Sequence, residues 1–129
     1  MLTSNLEYTY LSNNLLIVED NYLIGDKILD ASLKSKKFKN VKLTYTLKQA
    51  INYLKSNSVK LVSLDLSLPD GNGIELLKWF NKNNINTKVY VFSTNKELKS
   101  TCLRYGAKAF FDKSKDFDKL MITLQNTIL

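Results

Sequence analysis

Five short apolar, β-prone runs alternate along this chain with stretches whose apolar residues repeat at helical spacing. That alternation limits the possible folds more than any other feature of the sequence. The runs are Leu15–Val18, Val41–Tyr45, Leu61–Leu64, Val89–Phe92 and Ala109–Phe111. After them come Ile24, Ile28 and Ala31; Leu47, Ala50, Ile51 and Leu54; Ile74, Leu77 and Phe80; Leu98, Cys102 and Tyr105; and Phe117, Leu120, Met121 and Leu124. Each set falls on one face of a helix. A strand followed by a helix, repeated along the chain, predicts an α/β fold with a parallel sheet covered on both faces. We expect a doubly wound five-stranded parallel sheet in the order 2-1-3-4-5, with right-handed crossovers. "LLIV", "LVSL" and "VYVF" are near-continuous apolar runs, as strands buried on both faces require. "VKLTY" alternates and suits an edge strand. "TNKE", Thr94 to Glu97, has capping-box spacing for the fourth helix.

At 129 residues the chain has the length of one domain with a sizeable core. It contains no apolar run of membrane-spanning length and no signal-peptide pattern at its start, and its single cysteine, Cys102, cannot form an internal disulfide. A cytoplasmic location and no membrane partner are the expectation. The net charge of +7 invites a nucleic-acid reading, but only Arg104 among the 19 basic residues is an arginine, the residue best suited to phosphate and base readout. Lysine, asparagine and isoleucine are all abundant, in keeping with an A/T-rich coding bias, and nucleic acid is not the expected partner. "KSKKFKN", from Lys34 to Asn40, reads as the solvated end of a helix.

In a sheet of this kind, ligands bind beyond the carboxyl ends of the strands where strand order reverses. There the first run leads into Glu19 and Asp20, the third into Asp65, the fourth into Ser93 and Thr94, and the fifth into Asp112 and Lys113. Neighbouring first and third strands bring Glu19, Asp20 and Asp65 into one crevice. Three crowded carboxylates repel each other, which raises their pKa values unless a cation compensates. A hard divalent ion with oxygen ligands, Mg2+ or another such as Mn2+, resolves the repulsion. A carboxylate can serve as a nucleophile toward phosphorus, and phosphoryl transfer needs charge neutralisation and positioning more than covalent help. Asp65 is the candidate phosphoacceptor, Glu19 and Asp20 the metal-holding pair, and Lys113 and the Ser93 hydroxyl the groups facing a phosphoryl oxygen. Taken singly, each of these residues has a plainer reading. Asp20 with Asn21 makes a helix cap, Lys113 a surface lysine, and Asp70 in "LPDGNG" a turn residue, with Gly71 and Gly73 supplying backbone freedom.

"LLIVEDN", "LVSLDLSLPDGNGIELL", "VYVFSTN" and "GAKAFFDKS" resemble the four signature segments of bacterial two-component response-regulator receiver domains, in order and on the matching elements. The resemblance implies the flavodoxin-like, CheY-like architecture, with residues 13–129 as the receiver domain and residues 1–12 as an N-terminal extension. It implies that a histidine kinase or histidine phosphotransfer protein donates a phosphoryl group to Asp65 in a Mg2+-dependent reaction. It further implies that Asp20 binds the metal directly, Glu19 mainly through water, and Ser67 through its backbone carbonyl. Ser93 matches the switch hydroxyl and Phe110 the switch aromatic, which turns inward on phosphorylation. The face of the fourth helix, fifth strand and fifth helix would thereby change its binding to a downstream protein, and a homodimer is admitted. Two positions depart from the commonest pattern. Ser114 follows Lys113 where proline is frequent, and a trans bond or an altered loop is expected there. Thr94 stands where alanine is common, and its larger side chain would restrict access of water to the phosphoryl group.

Three other functions compete with the phosphorylatable switch. A receiver-like interaction scaffold would usually lack the acceptor or an acidic partner, and both are present. A phosphatase with an aspartate nucleophile would place a second carboxylate two residues on, where this chain has Ser67. A flavin site would need a phosphate-cradling loop where the chain has the acidic "EDNYLIGD". With no histidine in the chain, histidine acid–base chemistry is excluded, and a turnover enzyme is not expected. The chain stops where the fifth helix should end, so output through binding is expected; a receiver piece of a longer DNA-binding transcription factor is the alternative.

Overall fold

The computed structural model describes residues 13–127. The proposed extension of residues 1–12 lies outside them. Five strands, β1 (Asn14–Val18), β2 (Asn40–Thr44), β3 (Leu61–Leu64), β4 (Lys88–Ser93) and β5 (Ala109–Asp112), alternate with five helices. These are α1 (Tyr22–Lys34), α2 (Leu47–Ser56), α3 (Ile74–Lys82), α4 (Lys99–Arg104) and α5 (Phe117–Asn126). The strands form one parallel sheet in the order β2-β1-β3-β4-β5. The expected doubly wound order 2-1-3-4-5 is the observed one, with β2 at an edge.

Alternate residues of the central strands enter two separate apolar layers, which is why these runs read as continuously hydrophobic. Leu16, Val18, Val62, Leu64, Val89 and Val91 pack with Leu47, Ala50 and Leu54 of α2, Leu77 and Phe80 of α3 and Cys102 of α4. Leu15, Ile17, Leu61, Tyr90 and Phe92 pack on the opposite side with Ile28 of α1 and Leu120, Met121 and Leu124 of α5. Both layers being full, the ladder can end abruptly in polar residues at its carboxyl edge.

Several local readings are corrected. Thr94 does not cap the fourth helix, and the capping box is not formed. A 3-10 turn, Lys96–Leu98, precedes α4, neither has a side-chain cap, and the nearby hydroxyl that accepts a backbone N–H belongs to Ser93. The cap at α1 is Asn21, whose side chain accepts from the Ile24 N–H, which leaves the Asp20 carboxylate out of that role. "KSKKFKN" is only partly a solvated helix end. Phe38 is buried, and the Lys37 ammonium donates to the backbone carbonyls of Gln125, in the last turn of α5, and of Thr127, just after it. The Tyr90 and Thr127 hydroxyls meet at 2.7 Å beside it.

Asp70 does more than turn the chain. In the short hairpin of Ser67–Leu68 with Gly71–Asn72, its carboxylate accepts from the Leu47 and Lys48 N–H groups at 2.8 and 3.0 Å. Thr46 accepts from Gln49, so the first free N–H groups of α2 are all engaged. Gly71 has a φ of +150°, a conformation that other residues rarely adopt.

Charge is sorted along the strand axis. The last turns of α1, α2, α3 and α4 carry Lys34, Lys55, Lys82 and Arg104. The strands that follow begin at or beside Lys39, Lys60, Lys88 and Lys108, and no acidic residue lies in these connections. Cations at helix carboxyl ends oppose the helix dipole. The acidic residues of the strand–helix connections gather at the other end of the sheet.

Candidate functional site

The carboxyl ends of β1 and β3 lie side by side, and the ladder continues one residue beyond them. The Asp65 N–H donates to the Val18 carbonyl at 2.9 Å, and the Glu19 N–H donates to Thr44 at 3.0 Å. This pairing buries Glu19 and Asp65, while Asp20 beside them is less buried. Glu19, Asp20 and Asp65 each offer a carboxylate oxygen within 4.8 Å of the others. Hard oxygen donors converging this closely fit a divalent cation such as those with carboxylate shells.

The Lys113 ammonium enters the same crevice from the end of β5. It lies 2.8 and 2.9 Å from the two oxygens of Glu19 and 3.3 Å from Asp65. Its side chain is 14% exposed and passes over the Phe92 ring, with the nitrogen 5.7 Å from the ring centre. One lysine does not balance the three acids. Burial, followed by the charge of Glu19, pushes the Asp65 carboxyl up to about 7, against the pull of Lys113 and of the Ser67 N–H, which donates to Asp65 at 3.2 Å.

Gly73 is the residue whose role sequence reasoning misjudged. Its φ and ψ of −57° and −20° are ordinary, so backbone freedom is not its function. A β-carbon there would lie 2.4 Å from the Asp65 carbonyl oxygen and 3.0 Å from the Leu66 α-carbon. The absence of a side chain lets the start of α3 close against the acceptor loop, and the Gly73 N–H donates to the Leu66 carbonyl at 2.8 Å. Gly-x-Gly after a turn carried the signal, but close approach, not flexibility, was its meaning.

Ser93, fully buried at the end of β4, accepts through its hydroxyl from the Asn95 N–H at 3.0 Å, and its carbonyl accepts from the Lys113 N–H at 3.0 Å. Thr94 follows it, exposed at the rim. Phe110 pairs with Val91 in the sheet and packs half-buried against the layer beneath α4, lining a surface cavity with Lys96, Lys99, Asp112, Lys115 and Asp116. Thus the structure brings Glu19, Asp20, Asp65 and Lys113 together. It sets Ser93 and Thr94 on the neighbouring strand end and Phe110 toward the outer face. Ser67 lies in the hairpin directly after Asp65.

Beyond Lys113 the peptide bond to Ser114 is trans, there being no cis bond among the described residues. The Asp112 carboxylate is held near 2, first by the Ser114 hydroxyl, which donates at 2.7 Å, and then by the Ser114 N–H at 2.9 Å. Its other oxygen lies 3.3 Å from the Lys96 ammonium.

Comparison with known proteins agrees with this fold. Residues 15–125 match the family model described as the response regulator receiver domain. The transcriptional regulatory protein MalR of Bacillus subtilis (strain 168) is 30% identical over 116 residues, covering 88% of this chain and 49% of MalR. The chain therefore spans about half the length of that curated relative. Among solved structures, the receiver domain of the Francisella response regulator 1452 is 26% identical, with a TM-score of 0.74 over 87% of this chain and 93% of that one. The non-phosphorylated HemR receiver domain from Leptospira biflexa is 25% identical, with a TM-score of 0.77 over 91% of this chain and 97% of that one. Sheet order, acidic crevice, opposing lysine and family match converge on one assignment: the chain belongs to the response regulator receiver domain family.

Proposed function

We propose that this chain is a phosphorylatable signalling switch whose acceptor is Asp65 and whose donor is a histidine kinase or histidine phosphotransfer protein. The observation that carries the reading is the crevice in which Lys113 bridges Glu19 and Asp65, while Asp20 completes a set of oxygen ligands. An Asp65 oxygen attacks phosphorus, and the P–N bond to the donor imidazole breaks with its electron pair returning to the ring nitrogen. Lys113 neutralises charge on the transferring oxygens from one side. Glu19, Asp20, Asp65 and the Ser67 carbonyl would hold Mg2+, or Mn2+, which when bound neutralises the other side. Ser93 would turn its hydroxyl toward the new phosphoryl group, and Phe110 would follow, altering the α4–β5–α5 face that a protein target reads. Thr94 at the rim would slow the approach of water. The same machinery serves only the chain's own phosphorylation, so turnover on an external substrate is not proposed. A cytoplasmic setting fits a two-component partner, and no described helix is long and apolar enough to cross a membrane.

A second reading concerns what the switch is attached to. MalR is named a transcriptional regulator and is about twice the span matched here, which favours this chain's acting as the receiver portion of a DNA-binding regulator. Intact mass after incubation with a small phosphoryl donor and Mg2+ tests the main reading. One added phosphoryl group, absent in Asp65→Ala and with a chelator, is expected; no gain with small donors or kinases would leave a receiver-fold interaction scaffold.

A further inference from the structure

Lys113 must send a flexible four-carbon side chain into a nearly closed crevice, yet the side-chain bonds that hold the loop of residues 112–116 are made by its neighbours. Those bonds converge on Asp112. One carboxylate oxygen accepts from both the N–H and the hydroxyl of Ser114. The Asp112 carbonyl accepts from Lys115 and Asp116 N–H groups at 3.1 and 2.8 Å, and the Asp112 N–H donates to the Asp116 carboxylate at 3.0 Å. The second carboxylate oxygen meets Lys96 in the turn before α4. Upstream, the Lys113 N–H is fixed to Ser93. The backbone of Lys113 is thus clamped on both sides while its side chain is free to reach Glu19 and Asp65.

We propose that Asp112 and Ser114 are positioning residues for Lys113, their carboxylate–hydroxyl–amide turn fixing the backbone from which the ammonium reaches the crevice. The two donors of Ser114 do, by hydrogen bonds to a charged acceptor, what a rigid ring would do at that position by covalent restraint. Asp112 is nearly buried, with its side chain 8% exposed, so its bonds are shielded from competition by water.

The proposal rests on the crevice's being a phosphoryl-accepting site only for its consequence in rate, and two readouts separate the two. The first is the acylation rate of the Lys113 amine by a neutral reagent, followed by peptide mass against the exposed Lys99 and Lys119. Ser114→Ala and Asp112→Ala are expected to raise Lys113 labelling about tenfold relative to those controls, and Ser114→Thr to restore it. The second is the rate of phosphorylation by a small donor at saturating Mg2+. Ser114→Ala is expected to lower it about tenfold in the native background and to have no further effect beside Lys113→Ala. Unchanged Lys113 labelling in both variants overturns the proposal, as does an equal loss of rate with and without Lys113. A native protein that takes no phosphoryl group defeats the switch reading instead, and the labelling result still decides the role of Asp112 and Ser114.

Discussion

Glu19, not Asp65, is the carboxylate nearest the Lys113 ammonium: both its oxygens lie within 2.9 Å, against 3.3 Å for Asp65. The lysine thus divides its charge between a residue that would help hold a cation and the residue that would accept a phosphoryl group. A cation drawing on Glu19 would leave Lys113 to the acceptor side. Glu19→Gln should weaken Mg2+ binding about 10- to 100-fold, as loss of a supporting ligand does, measurable by calorimetry. The same variant should hold the Asp65 carboxyl lower than in the native protein, because a neighbouring negative charge is gone and Lys113 is freed toward it.

Removing the lysine leaves two buried carboxylates facing each other. Lys113→Met should cost about 3 kcal/mol or more of stability at pH 8, the usual consequence of breaking a buried ion pair from one side. The loss should shrink at pH 5, where Asp65 takes a proton. Urea unfolding at the two pH values checks both expectations, and a cost independent of pH would contradict them.

The raised Asp65 pKa of about 7 carries a definite sign. In the unfolded chain Asp65 loses its proton near pH 4, whereas in the metal-free native state it keeps it to about 7. Between those values the native state binds more protons than the unfolded one, so this residue's contribution to stability falls as pH rises and levels off above 7. Stability of the native protein minus that of Asp65→Asn, followed by urea unfolding from pH 4 to 8 with a chelator, should decline across that window. Mg2+ prefers the ionised carboxylate, so its binding should release protons near pH 6.5 and tighten toward pH 8. Calorimetry in buffers of different ionisation enthalpy reads that release directly.

Gly73→Ala should be destabilising by about 1–3 kcal/mol despite its helix-compatible backbone, because the new methyl would press on the Asp65 carbonyl 2.4 Å away. Gly73 is the N-cap of α3, where alanine is also the poorer residue, so the capping effect adds to the crowding and does not oppose it. Denaturant unfolding reads the sum, and an unchanged stability would contradict the crowding.

Asp70→Ala should cost about 0.5–2 kcal/mol through lost capping of α2. Although desolvation works against it, the Asp70 carboxyl is held below its ordinary range by the Lys48 and Leu47 N–H groups. Its contribution is therefore complete above the usual carboxylate pKa and fades as pH falls through the lowered one. The native-to-variant difference in melting temperature should be constant from pH 6 to 8 and narrow in strong acid.

The sheet order and the placement of Glu19, Asp20, Asp65 and Lys113 at its carboxyl edge were legible because strand period, apolar continuity and the switch-point rule all act locally or through topology. What escaped the sequence depended on distances between segments. Asp70 looked like a turn residue because its two N–H partners lie 22 and 23 positions away. Gly73 looked flexible because the backbone it accommodates becomes visible only once α3 is docked. The Thr94–Glu97 spacing mimicked a capping box, but the hydroxyl preferred by the chain was that of Ser93, one residue earlier. The hub at Asp112 was hidden for the same reason, since no spacing rule marks a carboxylate that serves its own loop and another helix at once.

The lysines of the helix-to-strand connections lie at the amino edge of the sheet and the crevice carboxylates at the other, and this separation has a mechanical outcome. It contributes a dipole component along the strands, on which an external charge exerts a torque before any contact is made. A cationic surface turns the acceptor crevice to the front, and an anionic one turns it away. A phosphoryl group added at the crevice lengthens that dipole, so the modified and unmodified forms enter an encounter with different strengths of alignment at low salt and lose the distinction as ions screen it.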